Sequence, residues 1–127
     1  MARELRLVMT VRRMKTYAGG LGYVYQYYFV GKRAARADPG DPATEYIFDV
    51  TSDRKITFAV SVLLPQRALR RWSAAHGREL TDAEQYGAVK MRLFKAFDEI
   101  EDVRSSGREL TLDPATLESV LGSLGIG

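Results

Sequence analysis

The chain has 127 residues, of which 46% are hydrophobic and 28% charged, with a formal net charge of +3; that is enough for one globular domain with its own core. It has no cysteine and a single histidine, which excludes disulfide scaffolds, thiolate zinc sites, iron–sulfur clusters, cysteine nucleophiles and multi-histidine metal centres. No stretch approaches the roughly 18–20 uninterrupted apolar residues of a membrane span, and Arg3, Glu4 and Arg6 interrupt the apolar run a signal peptide needs. A cytoplasmic protein is expected, with no membrane association. Asparagine is absent and glutamine occurs only at Gln26, Gln66 and Gln85; depletion of heat-labile residues is a thermophile trait, and we read the composition as that of a thermophilic archaeal protein.

The first half reads as strands. Leu5, Leu7, Met9 and Val11 alternate with Arg6, Val8, Thr10 and Arg12, the period of a strand. Ala18–Gly22 is a flexible connection, and Tyr23–Val30 is a run of aromatic and β-branched residues that favours a second strand. Residues 31–44, punctuated by Asp38–Pro39–Gly40–Asp41–Pro42, read as a potentially disordered loop. Tyr46–Val50 and Ile56–Leu64 form the next pair, joined by the polar turn Ser52–Lys55.

The second half reads as helices. The first runs between Pro65 and Gly77, with Ala68, Leu69, Trp72 and Ala75 as its apolar stripe. Thr81 with Glu84 three residues later is a capping box opening a long helix from Asp82 to Arg104. Asp113 caps a last helix with Pro114 in its first turn and Leu117, Val120, Leu121 and Leu124 facing inward. The expected fold is a single α+β domain over 1–127, with a four-stranded antiparallel sheet in 1–64 and three C-terminal helices in 65–127 packed on one face.

Charge follows these segments. Residues 1–36 carry eight basic side chains and one acid, and clustered positive charge is the electrostatic footprint of a nucleic-acid binder. In the second strand Tyr23, Tyr25, Tyr27 and Phe29 point to one face, Val24, Gln26, Tyr28 and Val30 to the other. Rings in register make a stacking platform for bases, so Tyr23, Tyr25, Tyr27 and Tyr28 are the candidate stacking residues. Arg6, Arg12, Arg13, Lys15, Arg33 and Arg36 are the candidate phosphate contacts. On the last strand, Ile56, Phe58, Val60, Val62 and Leu64 face the helices, and Thr57, Ala59, Ser61 and Leu63 leave a trough on the other side. Arg67, Arg70 and Arg71 form a second basic cluster, readable either as a binding patch or as a solvated helix face.

The long helix places Tyr86, Val89, Leu93, Ala96, Ile100 and Val103 at alternating spacings of three and four. This stripe packs on the sheet, joins a partner helix, or does both; Tyr86, Val89, Leu93, Ile100 and Val103 are the candidate oligomer interface of a homodimer or tetramer. Catalytic residues, a metal site and cofactors are not expected. His76 adjoins Gly77 at a helix end, where histidines meet terminal carbonyls, and Glu45, Asp49 and Asp53 around one hairpin make at most a weak metal cluster.

An aromatic and basic antiparallel sheet at Tyr23–Val30 with the arginines of 1–36, followed by the Tyr86–Val103 helix, resembles the layout of the ThermoDBP family. Membership would imply sequence-tolerant binding of single-stranded DNA in a sheet-lined cleft, with dimers or tetramers. The expected function is therefore non-catalytic binding of single-stranded DNA or RNA. Alternatives are an oligomeric α+β cup for a small aromatic or apolar molecule, and a protein-interaction subunit.

Overall fold

A computed structural model describes residues 13–127; the strand expected at Leu5–Val11 and the contacts expected of Arg6 and Arg12 lie outside the described residues. The elements are β1 (Lys15–Ala18), β2 (Val24–Asp38), β3 (Asp41–Thr51), β4 (Phe58–Pro65), α1 (Gln66–His76), α2 (Asp82–Glu99), α3 (Val103–Ser106), β5 (Glu109–Thr111) and α4 (Pro114–Ser123). The fold is α+β. Its sheet has five strands in sequential order, antiparallel from β1 to β4, with β5 parallel to β4 and opposite Ser61–Leu63. The expected all-antiparallel sheet of four is thus a mixed sheet of five, and the helices number four among the described residues.

The largest departure is at residues 31–44. They form a regular hairpin in place of the expected loop, with β2 and β3 paired from Gln26↔Thr51 to Asp38↔Asp41. The reversal is made by Pro39 and by Gly40 at φ 81°, the proline-then-glycine order of a type II turn. Bulges at Phe29/Gly31 and Arg36/Asp38 absorb the residues that break the alternation.

Cross-strand partners share a face, and the register sorts the sheet accordingly. Tyr25 and Tyr27 on β2, Phe48 and Val50 on β3, and Val60, Val62 and Leu64 on β4 are buried under the helices. On the opposite face Gln26, Tyr28, Ile47, Asp49, Ser61 and Leu63 are half-buried, while Val24 and Ala59 are exposed. Ile56, expected to face the core, precedes β4 and is 42% exposed.

Helix boundaries follow their local signals closely. α1 begins after Pro65 and stops at Gly77, whose φ of 72° lets its N–H bond to the Ser73 carbonyl. Pro65 offers no capping side chain; Asp41, at the start of β3, accepts the Arg67 N–H at 3.2 Å in its place. The Thr81–Glu84 capping box is complete, with bonds of 3.1 and 2.9 Å. The helix it opens ends at Glu99, because Ile100 is extended, and only the short α3 follows. Asp113 accepts the Thr116 N–H at 2.7 Å to open α4, which buries Leu117, Val120 and Leu121 but leaves Leu124 at 43% exposure. No described helix is long and apolar enough to cross a membrane.

Candidate functional site

The tyrosines of β2 divide between core and surface. Tyr25 and Tyr27 are 2% and 4% exposed. Tyr25 stacks on Phe97 of α2 at 4.1 Å, and Tyr27 meets Phe94 edge-on at 5.6 Å. Burial raises both phenol pKa values. Neither ring can receive a base, so the platform expected of Tyr23, Tyr25, Tyr27 and Phe29 is not open: the sheet face that carries Tyr25 and Tyr27 is the face the helices cover. Tyr23 lies at the strand's start on that side, exposed and 6.3 Å from the Tyr25 ring. Tyr28 is half-buried on the other face and donates its hydroxyl proton to Asp49 at 2.9 Å.

The basic candidates are likewise spread. Arg13 and Lys15 are exposed beside or on β1 and Arg36 near the hairpin tip. Arg33 donates to Glu45 at 2.8 Å, and Glu45 also accepts from Ser61 at 2.6 Å; the Arg33 and Ser61 hydrogen bonds hold the Glu45 carboxyl below its usual range. With Asp49 bonded to Tyr28, and Asp53 bonded to the Lys55 and Ile56 N–H groups, the three acids around this hairpin each serve a local structural bond. Among the described residues no group of three such ligands converges.

The expected oligomer stripe also faces inward. Val89 and Leu93 are 0% exposed and Val103 2%, while Tyr86 and Ile100 pack against the same core. An assembly through Val89, Leu93 and Val103 would require unpacking the core, so these three belong to the sheet-packing face of α2 and α3, with Tyr86 and Ile100 half-buried at its margin. His76 does not cap its helix; it stacks on Trp72 at 4.2 Å and pairs with Glu118 of α4 at 2.9 Å.

What the fold does assemble is a seam of aromatic rings and amines between α2 and the outer part of the sheet. Tyr86, Lys90 and Phe94 are spaced four residues apart, hence in a row along one side of α2. Tyr86 meets Phe29 at 5.1 Å, and Phe94 stacks on Tyr17 at 4.3 Å. The Lys90 amine lies 5.7 Å from the Tyr86 ring and 6.0 Å from the Phe94 ring, within cation–π range. Lys32 lies 5.7 Å from the Tyr46 ring, and Lys15 stands opposite Tyr27 in the register. Phe29, Tyr86 and Phe94 are half-buried, and Lys15 and Lys32 are exposed. At the β1 end Asp98 is already bonded to the Tyr17 hydroxyl and the Gly20 N–H at 2.9 Å each; Asp82 stands near Tyr46 at the other.

Lys90, Phe94 and Phe29 were not among the expected site residues. Their signal was the i, i+4, i+8 row Tyr86–Lys90–Phe94, which reads equally as helix core until the amine in its middle is noticed. Of the residues expected to form a trough on β4, Ala59 and Ser61 line a cavity of about 520 Å³ together with Ser105, Ser106, Arg108 and Glu109, whereas Thr57 and Leu63 do not. Hydroxyls and charges dominate that lining, which does not suit an apolar ligand. No family model, curated protein or solved structure matches the chain.

Proposed function

We propose that the chain binds single-stranded nucleic acid, DNA or RNA, along the seam between α2 and the outer strands, without catalysis and with little sequence preference. The observation that carries this reading is the Lys90 amine set between the half-buried Tyr86 and Phe94 rings. Ring faces beside amines are the elements single-strand binders combine, with stacking contributing about 1–3 kcal/mol per base. Lys15, Lys32, Lys90 and Arg13 supply phosphate contacts. Arg36 shares the Lys32 side of β2 by alternation and extends the charge toward the hairpin tip. The layout's resemblance to ThermoDBP proteins implies the same ligand class.

Fluorescence anisotropy with labelled single-stranded DNA, single-stranded RNA and duplex DNA, at about 50 and 200 mM salt, tests it. Single strands should bind in preference to duplex and weaken at the higher salt. Replacing Lys32 and Lys90 by glutamine should weaken binding while leaving the thermal midpoint near wild type. An absence of binding at the lower salt would end the proposal.

A further inference from the structure

The helices cover one face of the sheet. On the other face the register sets three successive rows: Arg33–Glu45–Leu63, Gly31–Ile47–Ser61 and Tyr28–Asp49–Ala59. Among the described residues α3 reaches this face at its β4 margin, where Ser105 and Ser106 share a cavity wall with Ala59 and Ser61. The β2 half carries apolar side chains in the open. By alternation Val24 and Val30 lie on the Tyr28 side of the strand, and they are 50% and 39% exposed. Ile47 and Leu63, further in, are half-buried. An apolar patch on a sheet face marks an interaction surface. We propose that a second copy of the chain packs on this face, sheet against sheet, about a two-fold axis that crosses the strands at Ile47. The inference does not depend on the seam, which lies on the helix side of the sheet.

Polar groups on the face are already bonded to one another. Arg33 and Ser61 both donate to Glu45, and Tyr28 donates to Asp49, so covering these groups leaves their bonds intact. What the face lacks is a cation for Asp49. That carboxylate is half-buried, and no ion pair among the described residues includes it. Arg33 commits its Nε to Glu45 while its side chain stays 68% exposed, and a guanidinium has five N–H donors in all.

A two-fold axis perpendicular to the strands at the Ile47 row lays each strand antiparallel over its own copy and exchanges the two outer rows. Arg33 of one copy then lies over Tyr28 and beside Asp49 of the other, and symmetry repeats the contact. Aligned sheets pack about 10 Å apart, a gap that an arginine and an aspartate span together. Ile47 meets its own copy at the axis, with Val30 adjoining on both sides. A partner of different chemistry would need an apolar centre and an arginine placed one row from it; this chain carries both. The helical layers face outward in such a dimer, so both seams stay open.

Sedimentation equilibrium of the intact chain over a range of concentrations should give twice the chain mass. Val30→Glu, a change at an exposed position, should return the mass of a single chain with an unaltered far-ultraviolet spectrum. Asp49→Asn keeps an oxygen to accept from Tyr28 and removes the charge. It should raise the dimer dissociation constant at least about tenfold and reduce its dependence on salt. The chain has no cysteine, so Val30→Cys treated with a short bismaleimide should give a covalent dimer, and Lys90→Cys, on the helix side, should not. A wild-type chain that stays monomeric across the concentration range overturns the proposal. So does a dimer that either Val30→Glu or Asp49→Asn leaves unchanged, or one cross-linked through Lys90→Cys and not through Val30→Cys. None of these results bears on single-strand binding at the seam, which anisotropy reads separately.

Discussion

Tyr25 and Tyr28 sit three positions apart in β2 and face opposite sides of the sheet. Tyr25 belongs to the stack that joins sheet to helix, with its ring parallel to Phe97 at an interplanar angle of 7°. Truncating a buried aromatic removes its transfer free energy and leaves a cavity, typically about 3–5 kcal/mol together. Tyr25→Ala should therefore lose about that much stability in urea unfolding. Any loss of nucleic-acid binding it shows would report unfolding and not a missing stacking partner. A cost below about 1 kcal/mol would mean that the ring is not in the core. Glu84 offers a second residue-scale test. Hydrogen bonds from Arg78 and from the Thr81 N–H hold its carboxyl at about pKa 2 instead of 4.5. A carboxylate depressed in the folded state contributes stability above its unfolded pKa, and that contribution is lost as pH falls toward the folded value. The thermal midpoint should accordingly decline between about pH 5 and pH 2, and the Glu84→Gln variant should decline less steeply over the same interval. Equal slopes in the two proteins would show that the bonds are not formed in solution.

Among the elements, legibility depended on whether the determining interaction is local. The helix starts were readable because Thr81, Asp113 and their partners lie within three residues of each other. The cap of α1 was not, because Asp41 reaches it from 26 residues away. That bond is itself open to test: capping residues replaced by alanine cost about 1 kcal/mol. Asp41→Ala should lower stability by that amount, and Asp41→Asn, which keeps an acceptor oxygen, by less; identical losses would point to hairpin disruption instead. The hairpin at 31–44 was hidden for a related reason. Gly31, Ala34, Ala35 and Pro42 have weak strand preference, and the segment is held in β form by pairing with its neighbour across Pro39–Gly40. β5 escaped notice because three residues, Glu109–Thr111, carry no readable period; their parallel partner β4 makes them a strand.

At the scale of the whole molecule, alternation in Tyr23–Val30 separated two faces, but the helical layer decided which one is covered. That is why the two half-sites named from sequence, tyrosines and arginines, are distributed over both sides of the sheet, while the amines and rings that do meet lie within α2 and between β2 and β3. The seam makes a quantitative demand. Each phosphate neutralised on a single strand releases counterion and contributes about −0.7 to the slope of log affinity against log salt. Arg13, Lys15, Lys32, Lys90 and Arg36 acting together should give a slope near −3.5. The Lys32→Gln, Lys90→Gln double variant should be shallower by about 1.4, with affinity reduced in similar proportion for different base sequences. A Tyr86→Leu variant removes a ring and no charge, so its affinity should fall with the slope unchanged. Anisotropy measured at several salt concentrations separates these outcomes. A slope unaltered by loss of both lysines would move the phosphate contacts elsewhere, and the arginines of α1 would be the next cluster to replace.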